Sequence, residues 1–109
     1  MSPIAPISLA AALSPQVPAR MRERGAEYLR KGLVRLTTCT RERVAARVLG
    51  TATYDVDLTR AENVVWAECS CPFCEDREEI CKHIWATVLA ADTRGGLRDG
   101  KSGLPKRLV

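Results

Sequence analysis

Four of the five cysteines and the only histidine of this 109-residue chain fall inside one short stretch, Cys69-Ser70-Cys71-Pro72-Phe73-Cys74-Glu75-Asp76-Arg77-Glu78-Glu79-Ile80-Cys81-Lys82-His83. Soft thiolates and an imidazole at close spacing are the donors from which a tetrahedral Zn²⁺ site is built. Five donors compete for four places. One set is Cys69, Cys71, Cys81 and His83; the other replaces Cys69 by Cys74, using Cys71-Pro72-Phe73-Cys74 as a C-x-x-C knuckle. Side chains two apart share a face on extended chain, so Cys69 and Cys71 can point to one side. Inside a regular helix they diverge. Cys81 and His83 therefore meet only if Cys81 lies at or before a helix start, with His83 in the first turn.

Such a site is closed. Four protein ligands leave no position for water, so one Zn²⁺ here would be structural and no hydrolytic metal chemistry follows. With the sole histidine used as a ligand, a Ser-His-Asp arrangement is out of reach, and no Gly-rich phosphate loop is present. The expectation is a protein that is not an enzyme. Cys71-Pro72-Phe73-Cys74 also looks like a glutaredoxin active-site motif. That fold needs further strands, a helix and a cis-proline after the motif, for which the remaining residues are too few. Cys39, in an expected strand, reads as a packing residue.

The elements around the cluster follow from periodicity. Ser14-Pro15 offers a helix start, and Val17, Met21, Ala26, Tyr28 and Leu29 give an apolar stripe as far as Arg30, with Gly32 able to end the helix in the left-handed conformation. The period then falls to two over Leu33 to Thr40, Arg43 to Leu49 and Tyr54 to Leu58, and Val64 to Glu68 runs straight into Cys69. Arg41-Glu42 is a poor two-residue turn, which predicts a longer loop. Beyond the cysteines, Ile80, Ile84, Thr87, Val88 and Ala91 predict a helix from Cys81 to about Asp92 with one apolar face. The fold class expected is α+β: an N-terminal helix, a small antiparallel meander of three or four strands, a zinc-bound loop and a C-terminal helix.

Residues 1–13 read as a disordered or loosely packed leader, 14–93 as a single zinc-binding domain and 94–109 as a flexible basic tail. A core of this size supplies only ~3–5 kcal/mol. A structural zinc, with an apparent binding free energy on the order of 10–16 kcal/mol in finger peptides, would fill that gap. The odd cysteine count, the clustering and the lack of a signal-like N-terminus point to a reducing, cytoplasmic compartment. The longest apolar run is too short to span a bilayer, so no membrane role is expected. The net charge of +4 is unevenly placed. Basic flanks bracket an acidic metal segment, a pattern compatible with a polyanion partner. Arg20, Arg22, Arg24, Arg30, Lys31, Arg35, Arg41, Arg43 and Arg47 are the candidate nucleic-acid contacts, and a solvated face is the competing explanation for them. For Trp85, off the main stripe, core packing is the favoured role.

A C-x-C, a variable loop and a C-x-H, with a strand before and an apolar helix after, resemble the SWIM zinc finger. The details Cys69-Ser70-Cys71-Pro72 and Cys81-Lys82-His83-Ile84 match that family's habit. Upstream, Arg24-Gly25, Tyr28, Gly32 and Val34 are similar to the stretch preceding the finger in bacterial SWIM proteins, so the resemblance covers roughly residues 20 to 92. It implies that Cys69, Cys71, Cys81 and His83 bind zinc and that Cys74 is not a ligand; Cys74, a thiol within reach of the site, departs from the family's pattern as a spare or exchangeable ligand. It further implies a binding module associated with DNA or with a DNA-processing protein such as a Snf-type ATPase. A protein-interaction adaptor is the alternative.

Overall fold

Pro18 decides where the long N-terminal helix begins. The residue before a proline is pushed out of the helical region, and Val17 is extended (φ −118°, ψ 130°). In the computed structural model, which describes residues 8–72, 80–97 and 104–109, the helix expected from Ser14 onward is therefore split. Helix α1 (Leu9–Leu13) runs into a 3₁₀ turn at Ser14–Gln16, and α2 (Ala19–Arg30) starts only after the proline. Gly32, at φ +72°, ends α2 in the left-handed conformation, as expected.

The meander has the expected order, β1 (Val34–Cys39), β2 (Arg43–Leu49), β3 (Thr53–Ala61) and β4 (Val64–Cys69), each antiparallel to the one before. The β1–β2 connection is tighter than Arg41-Glu42 alone would allow. The Thr40 hydroxyl accepts from the Glu42 and Arg43 N–H groups, and Thr40 N–H donates to Arg43 O at 2.8 Å, so the threonine closes the turn. Alternation along the strands sorts the side chains: Val44, Ala46, Val48, Val56, Leu58 and Val65 are buried on the inner face.

Helix α3 (Lys82–Thr93) lies across that inner face and is the centre of the molecule. An amphipathic helix with one apolar face was the expectation, but α3 buries His83 through Val88 together with Ala90 and Ala91. The reason is that it is covered twice, by the sheet on one side and by α1 and α2 on the other. A helix buried all round is what such a sandwich requires. Close packing of α2 on α3 depends on Gly25, where a Cβ would come 2.7 Å from Trp85 Cδ1 and 3.0 Å from Ala86 N and Lys82 O. Trp85 is 3% exposed and belongs to the core.

Both ends correct the sequence reading. Leu9 and Leu13, assigned to a loose leader, are fully buried, and the Asp92 carboxylate accepts from the Leu9 N–H (3.0 Å) and the Ala10 N–H (3.4 Å), fastening α1 to the end of α3. Residues 1–7 lie outside the described residues. In the tail, assigned to a flexible extension, β5 (Arg107–Leu108) joins β4 in parallel as a fifth strand. Gln16 clamps it from the other side, its Nε2 donating to Lys106 O and its Oε1 accepting from Leu108 N–H, both at 2.8 Å. Leu97 and Leu108 are buried with it. In the tail the apolar residues among the basic ones hold the segment, and charge counting hid them. Among the described residues no helix is long and apolar enough to cross a membrane.

Candidate metal centre

Strand β4 delivers two of the four donors. Its last residue, Cys69, falls in the cross-strand row Leu36, Ala46, Val56, Cys69 on the inner face. The pairing continues one residue further: Ser70 N–H donates to Asp55 O at 3.0 Å, and Ser70 Oγ accepts from Asp55 N–H at 2.9 Å. The C-x-C is thereby kept extended. Cys69 and Cys71 turn inward, 9% and 2% exposed, while Ser70 faces out.

Helix α3 delivers the other two. Cys81 is its N-cap, in extended backbone (φ −88°, ψ 170°), and its Sγ accepts from the Ile84 N–H at 3.5 Å. Because the cap residue stands outside the helix, the divergence of neighbours two apart does not apply, and His83 in the first turn comes round to the same side. His83 Nδ1 lies 3.8 Å from Cys81 Sγ and 3.9 Å from Cys69 Sγ. All four donor atoms are within 4.8 Å of one another. Around a tetrahedral zinc, bonds of ~2.3 Å to sulfur and ~2.0–2.1 Å to nitrogen set the donors roughly 3.5–3.8 Å apart. Movements on the order of 1 Å would bring the cluster to that size. The cluster can hold a metal ion, and three sulfurs with one imidazole select soft or borderline cations over Mg²⁺ or Ca²⁺. Cys74, the ligand of the alternative knuckle, lies outside the described residues. The first set converges without it.

Two aromatic rings hold the imidazole. Tyr28 from α2 meets it edge-on (centroids 5.3 Å apart, 79° between planes) and Tyr54 from β3 at 4.7 Å and 35°. With Nδ1 turned toward the sulfurs as the metal-facing nitrogen, Nε2 would carry the N–H once a metal is bound. That nitrogen is buried and has no hydrogen-bond partner among the described residues. Gly50 leaves room beside it, since a Cβ there would lie 3.5 Å from Nε2 and 3.0 Å from Tyr54 Cε2. Sequence reasoning missed Tyr54 and Gly50 in this role. Their positions follow from the β2–β3 register, in which Val48 pairs with Tyr54, and no local signal announces it.

The nine basic residues singled out as nucleic-acid contacts do not form one surface. On the outer sheet face, Arg43 is bidentate to Asp57 (Nη2–Oδ2 2.6 Å), and Arg47 lies 3.7 Å from Asp55. The hydrogen bond to Asp57, then its charge, holds the Arg43 guanidinium above its ordinary pKa. Arg35 stands opposite Arg47 on the same face. Lys31 is paired with Glu27 at 2.8 Å, and the hydrogen bond, with the lysine charge next, lowers the Glu27 carboxyl. Arg22 donates to Val17 O, while Arg30 and Arg41 are exposed at the end of α2 and in the β1–β2 turn. Only Arg20 and Arg24 reach the metal centre, lining the hollow above it. Comparison of the chain with models of known families, with curated proteins and with solved structures gives no match.

Proposed function

We propose that this chain is a non-catalytic zinc-binding module of the SWIM type. One structural Zn²⁺ would join the strand-borne Cys69 and Cys71 to the helix-borne Cys81 and His83, and the module would serve DNA processing, by contact with nucleic acid or within a complex built on a Snf-type ATPase. The observation that carries the reading is the convergence of a C-x-C at a strand end with a C-x-H that begins at a helix cap. The metal would tie the sheet to the central helix. Its place is architectural, because four protein donors leave no coordination position for a substrate.

Phosphate recognition is read from its salt dependence. Zinc-loaded protein titrated into labelled DNA should show affinity falling steeply as salt rises, since each neutralised phosphate releases counterions. Absence of binding, or binding indifferent to salt, would contradict the nucleic-acid reading. A second reading has its own observation. Trp66 and Leu49, each 52% exposed, stand on an outer sheet face where Arg43 and Arg47 are matched by Asp57 and Asp55. Such a surface suits a protein partner better than a polyanion, and the module would then be an adaptor.

A further inference from the structure

The hollow above the metal centre has a charge that the centre itself does not account for. Arg20 and Arg24, one helical turn apart on α2, and Lys82, the first residue of α3, line it together with Tyr54; its volume is about 380 Å³. A second hollow of about 570 Å³ adjoins it, sharing Arg24 and Lys82 and adding Tyr28, Thr51 and the Glu27–Lys31 ion pair, which leaves the net charge unchanged. The two make one groove running along α2. Among the described residues none of Arg20, Arg24 and Lys82 has a carboxylate within ion-pair distance, whereas Lys31, Arg43 and Arg47 all do. Lys82 is held over the Tyr28 ring, its Nζ 5.4 Å from the centroid.

The simplest role for these cations is to balance the sulfurs. Three thiolates and a neutral imidazole around Zn²⁺ carry about −1 by ligand accounting, against three positive side chains. Among the described residues lining the hollow a surplus of about two charges remains, in a concave site where field lines focus. On the outer sheet face, by contrast, Arg43 and Arg47 are paired with Asp57 and Asp55. Arg20 and Arg24 stand about 6 Å apart along the helix axis, a ladder for successive phosphates and not for one small anion. Tyr54 and Tyr28, half-buried at the wall, add aromatic surface. Cations that follow a backbone and aromatic groups that accept bases are the two components of single-strand binding.

We propose that the groove formed by Arg20, Arg24 and Lys82 beside Tyr54 and Tyr28 binds single-stranded nucleic acid, the phosphates on the cations and a base against the tyrosines. The inference rests on the nucleic-acid reading above and assigns it a surface and a strand form. The zinc-loaded full chain is titrated, by fluorescence anisotropy at several salt concentrations, into labelled oligo(dT) of about 15 nucleotides and into a duplex of the same length. Wild type is compared with Arg20→Glu/Arg24→Glu, with Lys82→Gln, and with Arg35→Glu as a sheet-face control. All are first checked for zinc content and circular dichroism. The double variant should weaken oligo(dT) binding at least ~10-fold and reduce the salt slope by about 1.4, two phosphate contacts at ~0.7 each. Lys82→Gln should weaken it less, and Arg35→Glu should leave it within about twofold. Oligo(dT) binding unchanged in the double variant overturns the groove. Preference for the duplex, insensitive to the groove variants, overturns the groove and leaves the nucleic-acid reading standing. If wild type binds neither, both fall.

Discussion

Cys81 has two tasks at one atom. Its Sγ accepts from the Ile84 N–H as the N-cap of α3, and the same sulfur faces His83 Nδ1. A substitution can separate them. Cys81→Ser keeps an oxygen able to cap while removing the thiolate, and Cys81→Ala removes both; both variants should lose the metal. In chelator the alanine variant should retain less helix by circular dichroism, since losing a good N-cap costs ~0.5–2 kcal/mol. Equal helicity would show that the cap contributes nothing. Ser70 poses the complementary case, a residue that touches no metal yet keeps Cys69 and Cys71 on one face through its two hydrogen bonds to Asp55. Ser70→Ala should retain all four donors and still bind zinc roughly 10–100-fold more weakly in chelator competition, as loss of outer-shell support does elsewhere. Affinity equal to wild type would mean that the strand ladder alone fixes the C-x-C.

The packing of α2 against α3 turns on the absence of a side chain at Gly25. Gly25→Val would drive methyls into Trp85 and into the backbone of α3, and overpacking of this kind costs typically ~1–3 kcal/mol. The variant should unfold at lower temperature; an unchanged melting temperature would mean that the helices can slide apart freely. Leu9→Ala tests α1 in the same way. A fully buried leucine truncated to alanine costs about 2–5 kcal/mol, whereas a residue in a loose leader would cost nothing measurable. The strands and the two longer helices were legible because each carries its own period: alternation in Arg43–Leu49 and Tyr54–Leu58, apolar repeats after Cys81. The C-x-C and C-x-H spacings likewise announced their donors. What was illegible depends on partners far away in the chain. Leu9 sits on α3 because Asp92 accepts its N–H, and β5 forms because Gln16 and β4 hold both of its edges. Neither pairing has a local signature. The helix expected from Ser14 was split because Pro18 fixes Val17 as extended.

At the scale of the whole molecule, the sheet, α3 and the α1–α2 layer meet at the metal centre: Cys69 and Cys71 come from the sheet edge, Cys81 and His83 from α3, and Tyr28 on the imidazole from α2. A metal bound at that junction would cross-link all three layers. Chelation of the metal should therefore lower the unfolding temperature cooperatively for the entire domain, as expected where metal affinity is folding free energy. Loss confined to a local signal would place the site at the periphery of the fold. The central claim is the identity of the donor set, and zinc stoichiometry tests it most directly. Elemental analysis of wild type beside Cys69→Ser, Cys74→Ser and His83→Ala should find one zinc in wild type and Cys74→Ser, and none in Cys69→Ser or His83→Ala. Zinc kept without Cys69 but lost without Cys74, or no zinc in wild type, would contradict the account.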